Sequence, residues 1–133
     1  MIDIESILYT EIATALRAEF PDIFVTGEVV NAPPQFPCVS IVERSNTSYL
    51  RTLDGSHVEN HASVLYQNDY YSNLATGKKS QCKAIAKLVD DIMIGYNFVR
   101  VFLEPIDNAD TKIHRMTARY TAVVSKDNRI YRN

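Results

Sequence analysis

Residues 65–102 decide the fold, and they read LYQNDYYSNLATGKKSQCKAIAKLVDDIMIGYNFVRVF. The stretch opens on β-forming residues that end at Tyr70-Tyr71-Ser72-Asn73, and a second β-forming segment, predicted over residues 97–104, closes it. Between them, residues 78–94 place apolar side chains at three- and four-residue spacing, which is typical of one face of a helix. The stretch therefore predicts a strand, an amphipathic helix and a strand in succession.

The predicted helix has recognisable boundaries in the sequence. Thr76 is predicted to cap its N-terminus, and Gly95 suits the left-handed conformation that often ends a helix. Pro105 is predicted to end the strand that follows, because proline lacks the amide donor that a strand needs. The apolar stripe that we expect this helix to bury consists of Cys82, Ile85, Leu88, Val89 and Ile92.

Towards the N-terminus, the sequence predicts three strands and one further helix. Strands are expected over residues 24–30, 38–44 and 58–71, with a proline-containing loop at residues 33–37. On the third strand, Asn68 interrupts an otherwise apolar face. A helix is expected over residues 3–19, and its apolar face consists of Ile4, Ile7, Leu8, Ile12, Ala15 and Leu16.

Towards the C-terminus, residues 113–124 alternate in the manner of a half-buried antiparallel strand. His114 lies on the apolar face of this strand, where we expect a hydrogen-bonded core histidine. The rest of that face is Met116, Ala118, Tyr120, Ala122 and Val124, and the opposite face is Arg115, Thr117, Arg119 and Thr121. A turn at Asp127-Asn128 then leads into a short strand over residues 129–132.

These elements predict an α+β fold in a single domain over residues 1–133. Their order is α-β-β-β-α-β-β, and strands joined by hairpins pair antiparallel. Two amphipathic helices can cover one face of such a sheet. We therefore expect an antiparallel sheet with both helices on one face and a hairpin that projects from it.

Composition and charge weigh against several classes of function. The 133 residues are 46% hydrophobic and carry a net charge of −2, whereas a domain that grips duplex DNA is usually basic. The N-terminus bears Asp3 and Glu5 instead of the positive charges of a signal peptide, and no apolar run is long enough to span a membrane. The two cysteines, Cys38 and Cys82, stand among apolar neighbours and are predicted to be buried thiols.

The sequence contains no recognisable catalytic or metal-binding motif. His57 and His61 are four residues apart, but on a strand that spacing separates them by roughly 13 Å, too far to share one metal. Asp90 and Asp91 are adjacent on a helix, so their carboxylates diverge by about 100° and do not form a dyad. We therefore predict that the protein is not an enzyme and needs no metal or cofactor.

The best signal for an interaction surface lies in residues 45–57, which read SNTSYLRTLDGSH. The segment is polar, and Asp54-Gly55 predicts a turn within it. It nevertheless carries Tyr49, Leu50 and Leu53, and apolar side chains on a projecting segment usually need something to cover them. Either a partner protein or the protein's own sheet could provide that cover.

A second candidate surface is the row of Lys79, Lys83 and Lys87, which share one helical face at four-residue spacing. A solvated face is one interpretation. The other is an interface, since lysines near the helix N-terminus and Asp90-Asp91 near its C-terminus both oppose the helix macrodipole. A neighbouring subunit of opposite charge would favour that arrangement.

Several segments resemble the tail-terminator (tail-completion) proteins of long-tailed phages and prophages, which are also called minor capsid or head–tail joining proteins. The resemblance covers nearly the full length and is strongest over residues 66–120. It is carried by the first helix and the terminal hairpin, and by three segments of sequence: the strand end Tyr70-Tyr71-Ser72-Asn73 with the GKKSQC start of the helix, then GYNFVR at residues 95–100, then DTKIHRMTARY at residues 110–120.

This resemblance implies a small α+β virion protein that forms a hexameric ring in the tail or neck, assembled in the host cytoplasm. The ring would cap the tail tube, end its polymerisation and meet the head-side connector or stopper protein, and DNA would pass through its lumen without sequence-specific binding. Tyr49, Leu50, Arg51 and Leu53 would contact the tail tube protein or the neighbouring subunit, with Lys79, Lys83 and Lys87 as the second choice.

Two alternatives stay open from the sequence. Another neck protein of the same particle, such as the head-side stopper or an adaptor, would differ in which surface meets the portal. A small DNA-binding module would use Arg115 and Arg119 on the polar face of their strand.

Overall fold

A computed structural model of the protein describes residues 1–48 and 60–131. Helix α1 spans Glu5–Glu19 and helix α2 spans Lys78–Gly95. The strands in these residues are β1 (Phe24–Thr26), β2 (Cys38–Ser48), β3 (His61–Ser72), β4 (Val99–Ile106), β5 (His114–Ser125) and β6 (Ile130–Tyr131). The predicted α+β class and the order α-β-β-β-α-β-β are confirmed, and β6 is the short terminal strand.

The strands form one mixed sheet in the order β1-β2-β3-β5-β4, with β6 beside the end of β5. Strands β2, β3, β5 and β4 pair antiparallel, as expected for a sheet rich in hairpins. The register of the central pair runs from His61 opposite Ser125 to Ser72 opposite His114. This long ladder makes β3 and β5 the rigid centre, and it leaves β1 and β4 at the two edges.

Both helices pack on one face of this sheet, as the amphipathic patterns predicted. Helix α2 lies over β3 and β5, and α1 lies over β2 and beside α2. The core between them is closed by large side chains that are at least 98% buried, among them Tyr66, Tyr70, Tyr120, Phe98, Ile12 and Ile85. Asn68 lies within this core, and its amide has no hydrogen-bond partner among the described residues.

The ends of α2 differ from the prediction at both caps. Gly77, with φ of 88°, occupies the N-cap position, so Thr76 is not the cap. At the other end Gly95 remains helical, and Asn97 adopts the left-handed conformation with φ of 68°. Phe98 N–H donates to the Met93 carbonyl and Asn97 N–H to the Ile94 carbonyl. This is the Schellman pattern, and it accepts asparagine in place of glycine.

The first strand also differs from its prediction. It ends at Thr26 instead of residue 30, and it pairs parallel with β2. The Thr26 side chain accepts a hydrogen bond from the Glu28 N–H and turns the chain out of the sheet. Residues 27–37 then cross back to the start of β2, and the Val30 carbonyl accepts a hydrogen bond from the Tyr71 hydroxyl. A crossover of this kind, unlike a hairpin, joins parallel strands.

The second strand continues four residues beyond its predicted end at residue 44. A bulge between Glu43 and Ser45 shifts the register, after which pairing with β3 resumes and reaches Ser48 opposite Ala62. The first four residues of the polar segment at residues 45–57 are therefore strand. Neither of the two described helices has the length and hydropathy of a membrane-spanning segment.

Candidate interaction surfaces

The first-choice interface residues, Tyr49, Leu50, Arg51 and Leu53, lie outside the described residues. The structure does describe the two strands that lead to them. Strands β2 and β3 are the arms of one antiparallel pair, whose last pair of opposite residues is Ser48 and Ala62. The side chains at the end of β2 are mostly exposed, namely those of Arg44, Ser45, Thr47 and Ser48.

Helix α2 presents all three predicted lysines to solvent. Lys79, Lys83 and Lys87 are exposed, and helical geometry places them on one side of α2. We call this row the lysine ridge. Among the described residues no ion pair involves any of the three, so the ridge carries three positive charges with no acidic partner in that part of the chain.

The chain itself provides partners for two of the other charges that oppose the α2 macrodipole. Lys78 Nζ donates to the Thr111 carbonyl at 3.0 Å. Asp90 accepts a hydrogen bond from the Tyr120 hydroxyl at 2.6 Å and forms an ion pair of 2.9 Å with Arg100. A neighbouring subunit is therefore not needed to offset the unfavourable placement of Lys78 or Asp90 in the helix macrodipole. For the lysine ridge and Asp91, the described residues provide no such partner.

The lysine ridge lies on the side of α2 that faces the β4 edge of the sheet. The ion pair between Asp90 and Arg100 orients this side, because Arg100 belongs to β4. A groove runs there between the helix and the edge strand, and we call it the β4 groove. The charged part of its lining is Lys83, Lys87 and Arg100 with Asp90 and Asp91, and the apolar part is Ala86, Leu103 and Met116.

A second groove lies at the opposite edge of the sheet, between α1 and the end of β1. Three of the residues that line it are acidic: Asp3, Glu5 and Glu28. Asp3 accepts a hydrogen bond from the Glu5 N–H, and Glu5 accepts one from the Glu43 N–H, whereas the Glu28 side chain is exposed. We call this the acidic groove.

Sequence reasoning missed the acidic groove, although the distribution of charge could have indicated it. Residues 1–37 contain six carboxylates against Arg17 alone, a net charge of −5. Residues 38–133 contain thirteen lysines and arginines against ten carboxylates, a net charge of +3. The net charge of −2 does not reveal this asymmetry. In the folded protein, acidic side chains lie near the β1 edge and the lysine ridge lies near the β4 edge.

The face of the sheet away from the helices carries a ladder of polar contacts. Arg115 pairs with the buried Asp69 at 3.1 Å and lies over the Tyr71 ring, and Thr117 donates a hydrogen bond to the same carboxylate. Arg119 donates to Gln67 at 3.2 Å and lies over the Phe102 ring. Both guanidinium groups are thus engaged within the sheet, which weighs against the DNA-binding interpretation of Arg115 and Arg119.

Both thiols are fully buried, which confirms the prediction from their apolar neighbours. Burial, reinforced by the nearby Asp69, raises the pKa of Cys38 to about 11. Burial raises the pKa of Cys82 to about 12, and its Sγ lies 3.4 Å from the His114 carbonyl oxygen. Neither thiol can supply a thiolate near neutral pH.

His114 is not the hydrogen-bonded core histidine that the sequence predicted. Its Nε2 is buried and has no hydrogen-bond partner among the described residues. Burial lowers the pKa of His114, and the positive charges of Lys79 and Lys78 lower it further. Within residues 1–48 and 60–131, no group of three or more histidine, cysteine or acidic side chains is placed to hold a metal ion.

Comparison with known proteins adds no relative to these observations. No protein-family description matches the sequence, and no curated protein matches it either.

Proposed function

We propose that this protein is a structural subunit of a phage tail. Copies of it form a ring that caps the tail tube, ends the polymerisation of the tube and joins the tail to the head-side connector. The proposal comes from the resemblance of residues 66–120 to tail terminators. The fold supports it, because the α+β class, the element order and the pair of helices on one face agree with what that resemblance implies.

The observation that carries the ring is the difference between the two edges of the sheet. The β1 edge adjoins the acidic groove, and the β4 edge adjoins the lysine ridge. Surfaces that are unlike but complementary favour head-to-tail contacts between copies, and such contacts close into a ring when the rotation between neighbours permits. Two-fold dimers instead need one self-complementary patch.

The mechanism that follows is steric and involves no turnover. One face of the ring imitates the growing end of the tube and binds it, and the other face lacks the surface to which a further tube subunit would add. The net charge of −2 suits a channel wall, because a protein that released DNA freely would avoid many phosphate contacts.

Substitution of the apolar side chains in the segment after β2 tests this assignment. The triple variant Tyr49→Ser, Leu50→Ser and Leu53→Ser leaves both arms of the β2–β3 pair unchanged. We expect a folded protein that fails to complement a phage or prophage lacking the wild-type gene, with overlong tails in electron micrographs. The exposed side chains of Leu74, Ile94 and Tyr131, which lie outside the two grooves, provide a matched control when changed to serine.

The same micrographs separate the tail terminator from the other neck proteins. Loss of a stopper or adaptor would leave tails of normal length that are not joined to capsids. If the phage that lacks the wild-type gene gives that result, the protein belongs to the head side of the neck. If it gives properly joined particles with tails of normal length, the protein is neither a tail terminator nor another neck protein.

A further inference from the structure

The lysine ridge and the acidic groove occupy positions in the same layer of the molecule. Both lie on the helix-covered side of the sheet, the ridge above the β4 edge and the groove beside the β1 edge. If the β4 edge of one copy is placed against the β1 edge of the next, α2 of the first copy becomes the neighbour of α1 of the second. The ridge then faces the groove directly.

We propose that the lysine ridge of each copy docks into the acidic groove of the next copy, with Lys83 and Lys87 opposite Asp3, Glu5 and Glu28. The occupant of each groove is thus a second copy of this chain. This proposal specifies the surfaces through which neighbouring subunits meet. It rests on the proposed function in one respect, which is that the contacts close into a ring.

The β4 edge explains why side chains, more than backbone, carry this recognition. Within the described residues the outer edge of β4 is unpaired, and Val101 on it is 54% exposed. Pro105 lacks an amide donor and the bulge between Arg100 and Phe102 interrupts the ladder, so a neighbour could form only a short run of backbone hydrogen bonds there. Charge complementarity above the edge therefore determines which surfaces meet.

Two double variants with reversed charges test the contact. In the ridge variant, Lys83→Glu and Lys87→Glu reverse the basic surface and leave the groove intact. In the groove variant, Asp3→Lys and Glu28→Lys do the opposite. Each variant alone should associate at least about tenfold more weakly than the wild type in sedimentation experiments at low salt, because every contact places like charges together. Circular dichroism establishes that each variant is folded.

A mixture of the two variants is the decisive sample. In the mixture, the unchanged basic ridge of the groove variant can bind the unchanged acidic groove of the ridge variant. The reversed surfaces, an acidic ridge and a basic groove, also attract each other, so all contacts are favourable when the two variants alternate. We expect assemblies to form only in the mixture and to contain the two variants in equal numbers. The control, Lys112→Glu with Lys126→Glu, makes the same change of charge at exposed lysines elsewhere and should associate like the wild type.

Two results would overturn the proposal. One is a mixture that associates no better than its components, and the other is a wild-type chain that stays monomeric at low salt up to millimolar concentration. Failure of the proposed function is distinguishable from both. Mixed assemblies that do not cap tails would refute the tail terminator and leave the contact standing, whereas ridge variants that cap tails normally would refute the contact alone.

Discussion

The two faces of the sheet use the same strands in different ways. On the helix-covered face, β5 contributes Met116, Ala118 and Tyr120 to a core that excludes water. On the open face, Arg115, Thr117 and Arg119 of the same strand form hydrogen bonds, and the two arginines also stack on aromatic rings. The comparison shows that β5 is stabilised by burial on one side and by paired polar groups on the other, and we expect burial to contribute more.

Two phenylalanines provide the largest test of this difference. Phe98 is fully buried on the covered face and packs edge-on against Tyr66, with ring centroids 5.6 Å apart, whereas Phe102 is only half-buried under Arg119. Phe98→Ala should lower the free energy of unfolding by about 3–5 kcal/mol, because it removes a large apolar side chain and leaves a cavity. Urea denaturation measures the loss, and Phe102→Ala should cost clearly less. Equal losses would contradict the comparison.

Asp69 tests the most deeply buried polar contact of the open face. Its side chain is 9% exposed and accepts hydrogen bonds from Arg115, Thr117 and Gln67. Asp69→Ala should lower the free energy of unfolding by about 1–3 kcal/mol, since the change leaves these donors without their acceptor. The same change at the exposed Asp107 is the control, and denaturation should detect almost no effect there. A neutral Asp69→Ala variant would show that the ladder contributes nothing.

Arg119 should produce a smaller effect than Asp69, because it is exposed. Its guanidinium lies 4.9 Å from the centre of the Phe102 ring and donates to Gln67. Arg119→Ala should lower the free energy of unfolding by about 0.5–1 kcal/mol, the range of an exposed cation–π contact. Arg119→Lys keeps the charge but loses the planar stack, so it should recover only part of the loss. Complete recovery would mean that the charge alone matters.

The smallest expected effect concerns His114, which lies at the end of the covered face. Because its pKa in the folded protein is below the ordinary value of 6.5, the unfolded chain binds the proton more readily. The contribution of His114 to the free energy of unfolding should therefore be constant above pH 6.5 and should fall as the pH drops below that value. Unfolding curves between pH 7.5 and 5.5 measure the slope, and His114→Gln should reduce it. An unchanged slope would assign the effect to other groups.

Local patterns were sufficient to predict much of the fold. The stripe of Cys82, Ile85 and Val89 predicted α2 to within one residue, and the alternation along residues 113–124 predicted which side chains of β5 face the core. The predicted caps were wrong. At the C-terminal end, Gly95 and Asn97 can both end a helix, and the hydrogen bond from the Phe98 N–H to the Met93 carbonyl places Asn97 in the left-handed position. The parallel pairing of β1 was missed because a crossover and a hairpin loop look alike in sequence.

The candidate surfaces were predictable only in part. Helical spacing was enough to group Lys79, Lys83 and Lys87, but it could not show which neighbouring element they face. That side of α2 is identified by the ion pair between Asp90 and Arg100, which belongs to β4. The acidic groove brings Glu28, beyond β1, together with Asp3 and Glu5 at the start of α1. No sequence periodicity connects those positions, because the groove exists only where α1 crosses the edge of the sheet.

The sequence by itself determined the helices, most strands, the buried thiols and the asymmetry of charge between its first 37 residues and the rest, because these depend on residue type and short-range spacing. Only the tertiary structure decided the strand order β1-β2-β3-β5-β4, the engagement of Arg115 with Asp69, and the placement of unlike charges at opposite edges. These features depend on pairing between residues distant in sequence, which is governed by the packing of the whole core and not by local preference.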